Sequence, residues 1–354
     1  METGSFKAIG GAAVDTYMMY NALLHTHKYA IDLHEDASKL SASVKTVSRN
    51  KLLSREYDVV ILNSIRDVPL AEQYRSKHPN AKFIYIDRGN VLLNFQNAGI
   101  KRILPKMVIR YKYLLQLKRF LNHYVAITAE QAEFAGMFFD SSRTSFHHIN
   151  IAPHKEFRSL GLNKRGIHAI AVGRLDERQK KLAFMLYGIK KVVTQHKELK
   201  KKILLKIIGT GPDENRYKML VKSLGISENV VFEGFQRGEV LVNLYNTASF
   251  LVSTSEWESP GRSFLEAMAC GLPVLLNTNN NAALSYSPMQ SMVKDGHNGL
   301  VYIYGDLDDF AEKFYTLYSR KALARKLGEN AHVFVKKFSF ENTMKEYEKI
   351  IDSM

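Results

Sequence analysis

Short β-branched runs alternating with helical stretches constrain this chain more than any other feature. DVVILN (58–63), AKFIYI (81–86), HYVAIT (123–128) and TSFHHI (144–149) read as strands in the first half. GIHAIAVG (166–173), ILLKIIG (203–209), NVVFEG (229–234), ASFLVS (248–253) and LPVLLN (272–277) read as strands in the second. Helical periodicity lies between them, as in ENRYKMLVKSLG (214–225) and DFAEKFYTLYSRKALARKLGENA (309–331). Strands that are apolar without alternation are buried on both faces, so the pattern predicts parallel sheets covered by helices. Over 354 residues this predicts two doubly wound domains, with ligands at the carboxyl ends of the strands. Periodicity breaks between Asn150 and Leu162, which predicts domains over 1–155 and 156–339.

Composition narrows the classes. Hydrophobic residues at 45% and charged residues at 24% are globular values. No apolar run reaches the ~20 residues that span a bilayer, and no signal-peptide pattern opens the chain. A single cysteine, Cys270, excludes an internal disulfide and fits a reducing, cytoplasmic setting; its place in AMACG reads as core packing. The net charge of +15 suggests an anionic partner, which is a nucleic acid, an anionic membrane or a phosphorylated substrate, or else a solubilising surface. No nucleic-acid reading module is recognisable, so the expectation is no nucleic-acid partner. From Lys101 to His123 there are seven Lys or Arg residues and no Asp or Glu, with Leu104, Val108, Tyr111, Leu114 and Leu115 forming an apolar side. A basic amphipathic helix of this kind can rest on an anionic membrane surface, or simply pack on its own sheet.

The chemistry concentrates in SEWESPGRSFLEAMACGLPVLL (255–276). Glu258 falls in a loop, Glu266 on a helix that opens at about Gly261, and the amides of Gly261, Arg262 and Ser263 lie at its start. A helix N-terminus has unpartnered amides and a positive dipole end, which suits phosphate. Two carboxylates beside it suit hydroxyls, so the stretch fits a nucleotide-sugar. GRLDERQKK (173–181) follows a strand directly: Gly173 allows a sharp turn, and Arg174 and Lys180 can clamp a diphosphate. IIGTGP (207–212) lacks the third glycine of a dinucleotide loop and reads as a tight turn. Gly10 and Gly11 precede an apolar helical pattern and can approach a phosphate closely. Asp306-Leu307-Asp308 resembles a metal-holding Asp-x-Asp, but helix capping accounts for it; no His/Cys cluster has zinc spacing, so no metal is expected. His147-His148 reads as structural or cleft-lining.

The order of these motifs resembles the family 4 glycosyltransferases of the GT-B fold. The motifs are a Gly-Gly loop, GRL-x4-K, V-x-F-x-G (Val230, Phe232, Gly234), Glu-x7-Glu with LEAMACGLPV, and VKDGHNGLVY. The match is specific from about Gly166 to Lys337; VAIT-AEQ (125–131) extends it into the first half. The resemblance implies two Rossmann-like parallel-sheet domains facing a cleft, with a terminal helix at about 340–354 returning to the first. It implies a retaining transferase using a UDP- or GDP-sugar, without a required cofactor. Arg174 and Lys180 would hold the diphosphate, Glu258 the donor sugar, and Glu266 the ribose. Gly261, Arg262 and Ser263 would cradle sugar and phosphate, Phe232, Gly234 and Phe235 would approach the base, and Gly10-Gly11 would close over phosphate. A glycan or lipid-linked acceptor is expected, with the protein peripheral at the inner face of the membrane. The chain departs from the family pattern at three places. Only METGSFKAI precedes Gly10; Asp87-Arg88-Gly89 follows the strand where a histidine is usual, so that either Asp87 takes the acceptor-side position or the alignment slips by a residue; and Arg262 adds charge beside the donor site. Alternatives are an inactive GT-B subunit stabilising a catalytic partner and, less favoured, a nucleotide-sugar epimerase.

Overall fold

Two parallel sheets with helical crossovers organise the chain, seen here in a computed structural model that describes residues 49–87, 100–127, 129–149, 152–161, 168–256, 258, 261–278 and 292–354. The chain divides into two compact units, Met1–Ile151 with Glu341–Met354, and Ala152–Phe340. The Gly10-Gly11 loop lies outside the described residues.

In the first unit, β1 (Val59–Leu62), β2 (Lys82–Asp87), β3 (His123–Ala126) and β4 (Ser145–His148) pair in that order, all parallel. Helix α1 (Arg49–Ser54) precedes them, and α2 (Val68–Lys77), α3 (Ile100–Leu117) and α4 (Ala129–Phe138) connect them. Continuous apolar strands fit this topology: Phe83, Ile84, Tyr85 and Ile86 of β2 are all buried, on alternating faces. The buried hydroxyl of Tyr74 accepts from Tyr57 N at 2.7 Å and donates to Arg55 O at 3.1 Å, so its burial leaves no polar atom orphaned.

The second unit carries β5 (Ala169–Val172), β6 (Leu205–Ile208), β7 (Val230–Gly234), β8 (Phe250–Val252), β9 (Val274–Thr278) and β10 (Gly299–Ile303) in the order β10-β9-β8-β5-β6-β7, again parallel. The chain starts at the centre with β5, winds outward to β7, then crosses back to β8 and winds the other way. That reversal splits the crossovers between the carboxyl ends of β5 and β8, the place where open α/β sheets bind ligands. Helices α5 (Glu177–Lys180), α6 (Leu182–Gln195), α7 (Glu214–Ser223), α8 (Gly238–Thr247), α9 (Arg262–Ala269), α10 (Leu307–Ser319) and α11 (Lys321–Val335) complete the unit; α12 (Phe340–Asp352) groups almost entirely with the first. Helix α6 forms because Leu182, Met185, Leu186, Ile189, Val192 and Val193 make one stripe at 3.6-residue spacing, and all six are buried. Phe250, Phe310 and Phe314 lie beneath it, each fully buried, a contribution of about 1.5–3 kcal/mol apiece. The edge strand β10 goes unread in the sequence, because its burial mixes core and surface positions within NGLVYI.

Candidate functional site

At the switch point the β5–α5 loop and the segment after β8 are joined side by side. Gly173 follows β5 directly at φ +152°, a conformation side chains rarely adopt. A Cβ there would meet Lys180 Cε at 2.9 Å and Nζ at 3.1 Å, so the glycine leaves the space that the lysine head occupies. The Lys180 ammonium pairs with Glu258 Oε1, and Ser255 Oγ donates to that same oxygen at 2.7 Å. Backbone links fix the two segments further: Thr254 Oγ1 donates to Lys180 O at 2.7 Å and Glu256 N to Gln179 O at 2.8 Å. Lys181 sits in the left-handed region (φ 48°, ψ 39°), the one described non-glycine residue with positive φ, and its ammonium pairs with Glu256 at 2.9 Å. A side chain in that region costs on the order of 1–3 kcal/mol and persists where its surroundings demand it. Here the turn separates α5 from α6, so that Lys180 points to Glu258 while Lys181 points to Glu256.

An open cleft of about 340 Å³ lies over these groups, with Gly173, Arg174, Lys180, Ser255 and Ser263 among its lining. Arg174 is exposed, free of any fixed ion pair among the described residues, and Asp176 close by accepts from Arg178 N at 3.1 Å to cap α5. The Arg178 guanidinium on the same carboxylate holds Asp176 below the usual carboxylate range. Helix α9 starts at Ser263's neighbour Arg262, with Gly261 as its cap residue, so the positive end of its dipole reaches the cleft wall that Ser263 forms.

IIGTGP has a role that the sequence reading did not find. Gly209 has φ +135°, and a Cβ on it would stand 1.9 Å from Gly173 O; one on Gly211 would stand 2.3 Å from Leu175 O. These glycines let the β6–α7 loop lie flat against the GRL loop. Gly173 N then donates to Ile208 O, Leu175 N to Thr210 O, and Glu177 N to Asp213 Oδ2, at 2.8–3.0 Å. The only sequence signal was the glycine spacing, and its partner lies 36 residues away in the chain.

Glu266 lies under the helix start, buried, with both carboxylate oxygens engaged. Tyr245 OH donates to Oε2 at 2.8 Å, and Arg262 Nε pairs with Oε1 at 3.2 Å. Burial pushes Glu266 up to about 7, against the opposing pull of Arg262 and Tyr245. The same burial lowers Arg262 and raises Tyr245. Where the sequence suggests a charge added beside the donor site, the Arg262 guanidinium is largely buried and turned onto Glu266, one helical turn on. Tyr245, from α8, was not visible as a site residue, because only the fold brings it to Glu266.

Phe232 packs against the core with Lys218 Nζ 5.6 Å above its ring, Gly234 has φ +68°, and Phe235 is exposed; none of the three lines the cleft. Asp87 ends β2 in the first unit, buried, and accepts from Tyr124 OH at 2.6 Å. Burial, then the Asp87 charge, pushes the Tyr124 phenol well up. His147 stacks on His123, ring nitrogens 2.8 Å apart. Asp306 caps α10, accepting from Asp308 N and Asp309 N at 2.8 and 3.1 Å, and Asp308 pairs with Lys191. Among the described residues no group of three or more His, Cys, Asp or Glu is placed to hold a metal ion.

Comparison with known proteins gives this geometry its family. The architecture matches solved structures over nearly the whole chain. The Anabaena Alr3699/HepE structure in complex with UDP and glucose aligns at TM-score 0.72 and 15% identity, covering 98% of this chain and 96% of that one. TarM aligns at TM-score 0.66 and 19% identity, covering 82% of this chain and 54% of that one. Two parallel-sheet α/β units of this kind make up the GT-B fold. Residues 154–334 match the model of the Glycosyl transferases group 1 family, and the chain belongs to that family. The putative glycosyltransferase EpsD of Bacillus subtilis (strain 168) is 31% identical over 138 residues, 39% of this chain and 34% of that protein. The N-acetyl-alpha-D-glucosaminyl L-malate synthase of Bacillus anthracis is 30% identical over 172 residues, 48% of this chain and 42% of that protein. The matched stretch thus spans less than half the length of these curated relatives.

Proposed function

We propose that this protein is a retaining glycosyltransferase that moves a sugar from a UDP- or GDP-sugar to a lipid-linked or cell-envelope glycan. The observation that carries the reading is the switch-point constellation: Gly173, Arg174 and Lys180 from one loop meet Glu258 and the α9 start from another, around one cleft. In the transfer, the bond from the anomeric carbon to the diphosphate oxygen breaks, and negative charge builds on the leaving group. Arg174, the Lys180 ammonium and the α9 dipole supply positive potential there, and such preorganised charge is the largest catalytic contribution in many enzymes. Glu258, held by Lys180 and Ser255, is positioned for the hydroxyls of the donor sugar. At Glu266 the ribose diol would exchange with one of the partners seen here, Arg262 or Tyr245. Metal independence is part of the proposal, supported by the commitment of Asp306 and Asp308 to capping and to Lys191. Retention rests on the family 4 resemblance of the Glu258–Glu266 motif, and Asp87 remains proposed on the acceptor side. The envelope acceptor is supported by relatives such as the lipopolysaccharide 1,6-galactosyltransferase of Salmonella typhimurium (strain LT2), 30% identical over 142 residues.

The test is release of UDP or GDP from a panel of nucleotide-sugars, with extracted envelope glycans as acceptors and the product's anomeric configuration read by NMR. Glu258→Gln and Lys180→Ala should each lower turnover by about 100-fold or more at a temperature where circular dichroism shows the variant still folded, since breaking this largely buried pair also lowers stability. Full activity in either variant would remove the site assignment, and an inverted product would remove retention.

A further inference from the structure

The outward face of α3 is apolar where a helix on the surface of an ordinary globular unit is polar. Its inward side is accounted for by Leu114 and Leu117, both buried, with Tyr113 packed beside them. Yet Val108 is 62% exposed, Tyr111 50% and Leu115 41%. Their spacing of three and four residues places all three on one stripe, on the side opposite Leu117. The stripe continues onto α4. Tyr111 meets Phe138 edge-on at 6.4 Å, and on the same helix Phe134 and Met137 are exposed, Met137 at 75%. Lys118 joins the helices, its ammonium donating to Phe138 O at 2.7 Å and lying 5.4 Å above the Phe138 ring.

Cations frame this patch. Lys112 on α3 and Lys118 and Arg119 in the turn that follows it are exposed beside the apolar stripe, and the sequence from Lys101 to Arg143 carries eight Lys or Arg residues against three acidic ones. One of those three, Asp140, is committed to Ser142, whose amide and hydroxyl donate to it at 2.9 and 2.7 Å. An exposed apolar strip of this kind marks an interaction site rather than a solvated surface. A nucleic acid would satisfy the cations but would bury Val108, Leu115 and Met137 against phosphates. An anionic bilayer satisfies both, its headgroups taking the cations and its acyl boundary taking the aliphatic and aromatic side chains. Tyr111 suits that boundary, with an apolar ring and a hydroxyl that can stay in the headgroup layer.

We propose that α3 and α4 form a membrane-docking face that lies in the interface of an anionic phospholipid bilayer. No helix among the described residues is long and apolar enough to cross a membrane, so the contact is peripheral. The inference is independent of the transferase reading, and its test uses no donor or acceptor.

The full chain is mixed with vesicles of phosphatidylcholine alone or in equal parts with phosphatidylglycerol, and bound protein is measured by sedimentation. Binding is expected on the phosphatidylglycerol vesicles alone, falling about tenfold or more when salt is raised to about 0.5 M. Two variants separate the contributions: V108S/Y111S/L115S removes the apolar stripe, and K112E/R119E reverses the charge without touching the Lys118–Phe138 contact. Each should lower binding about tenfold or more at a temperature where circular dichroism shows the variant still folded; the stripe variant also gives up the Tyr111–Phe138 contact, so its melting point is measured alongside. Absence of binding by the unaltered protein at low salt would overturn the proposal, as would full binding by the stripe variant. A dimer that the stripe variant converts to monomer, without vesicle binding, would reassign the face to a second copy of this chain.

Discussion

Replacing Arg262 by Met should make the stability of the second unit fall with pH in a range where the native pair holds it level. Glu266 titrates at about 7 in the folded chain against an ordinary value of 4.5. Between those values the folded state binds the proton and the unfolded state does not, so stability falls as pH rises, by about 1.4 kcal/mol per unit and about 3 kcal/mol in all. Above about 7 both states are ionised and the slope ends. Arg262 pulls Glu266 down towards that value more than Tyr245 does, so its loss moves the carboxyl higher and extends the slope. The Arg262→Met variant, similar in length and apolar, should match the native protein closely at about pH 6 and lose a further ~1.4 kcal/mol relative to it for each unit above about 7. Urea unfolding at about pH 6, 7 and 8, followed by the fluorescence of Trp257, the sole tryptophan, measures this in the unit that contains the pair. The double variant Arg262→Met/Glu266→Gln should show no such slope. A penalty of equal size at all three pH values would refute the coupling and leave Arg262 as a packing residue only.

Three other outcomes are expected. Lys181→Gly relieves a left-handed side chain but deletes the Glu256 ion pair, so stability should change by less than about 1 kcal/mol while nucleotide-sugar affinity drops several-fold; unchanged affinity in calorimetry would show that the Lys181–Glu256 pair does not help hold the two loops at the cleft. Gly209→Ala places a Cβ 1.9 Å from Gly173 O and should cost about 2–4 kcal/mol in chemical unfolding, together with the loss of nucleotide binding; a neutral variant would contradict the close approach of the two loops. His168, whose Nε2 is buried with no hydrogen-bond partner among the described residues, is held at about 4 by burial and then by Lys206. Its stability contribution is therefore intact above about 6.5 and lost as pH falls towards 4, by at most about 3 kcal/mol; His168→Leu should remove that acid sensitivity relative to the native chain, and an unaltered acid limb would exclude His168 as its source.

The strands were legible because their signal is local. β5 is written in GIHAIAVG and β9 in LPVLLN, continuous apolar runs that only a doubly covered parallel sheet accommodates. β10 was not legible, since an edge strand with one wet side has no continuous run to show. For the site, Gly173, Arg174, Lys180 and Glu258 could be read from their spacing within two motifs, and the fold joins those motifs at the switch point. The interactions that hold them could not be read. The Gly209–Gly173 approach and the Tyr245–Glu266 bond connect residues far apart in sequence, and a left-handed Lys181 has no residue-type signature. The turn of Arg262 onto Glu266 is in the same way a product of the helix and its packing, whereas its position beside the donor motif is plain in the sequence.

The central claim, that the cleft between the β5 and β8 ends holds a nucleoside diphosphate-sugar through Arg174 and Lys180, is tested most directly by thermal shift. A ligand that binds the folded state alone at about 100 times its Kd stabilises by about 2.7 kcal/mol, a rise of about 5–10 °C for a unit of this size. At least one UDP- or GDP-sugar should produce that rise in the native protein, and Arg174→Ala/Lys180→Ala should abolish it. No shift with any of them, or an equal shift in the double variant, would contradict the claim.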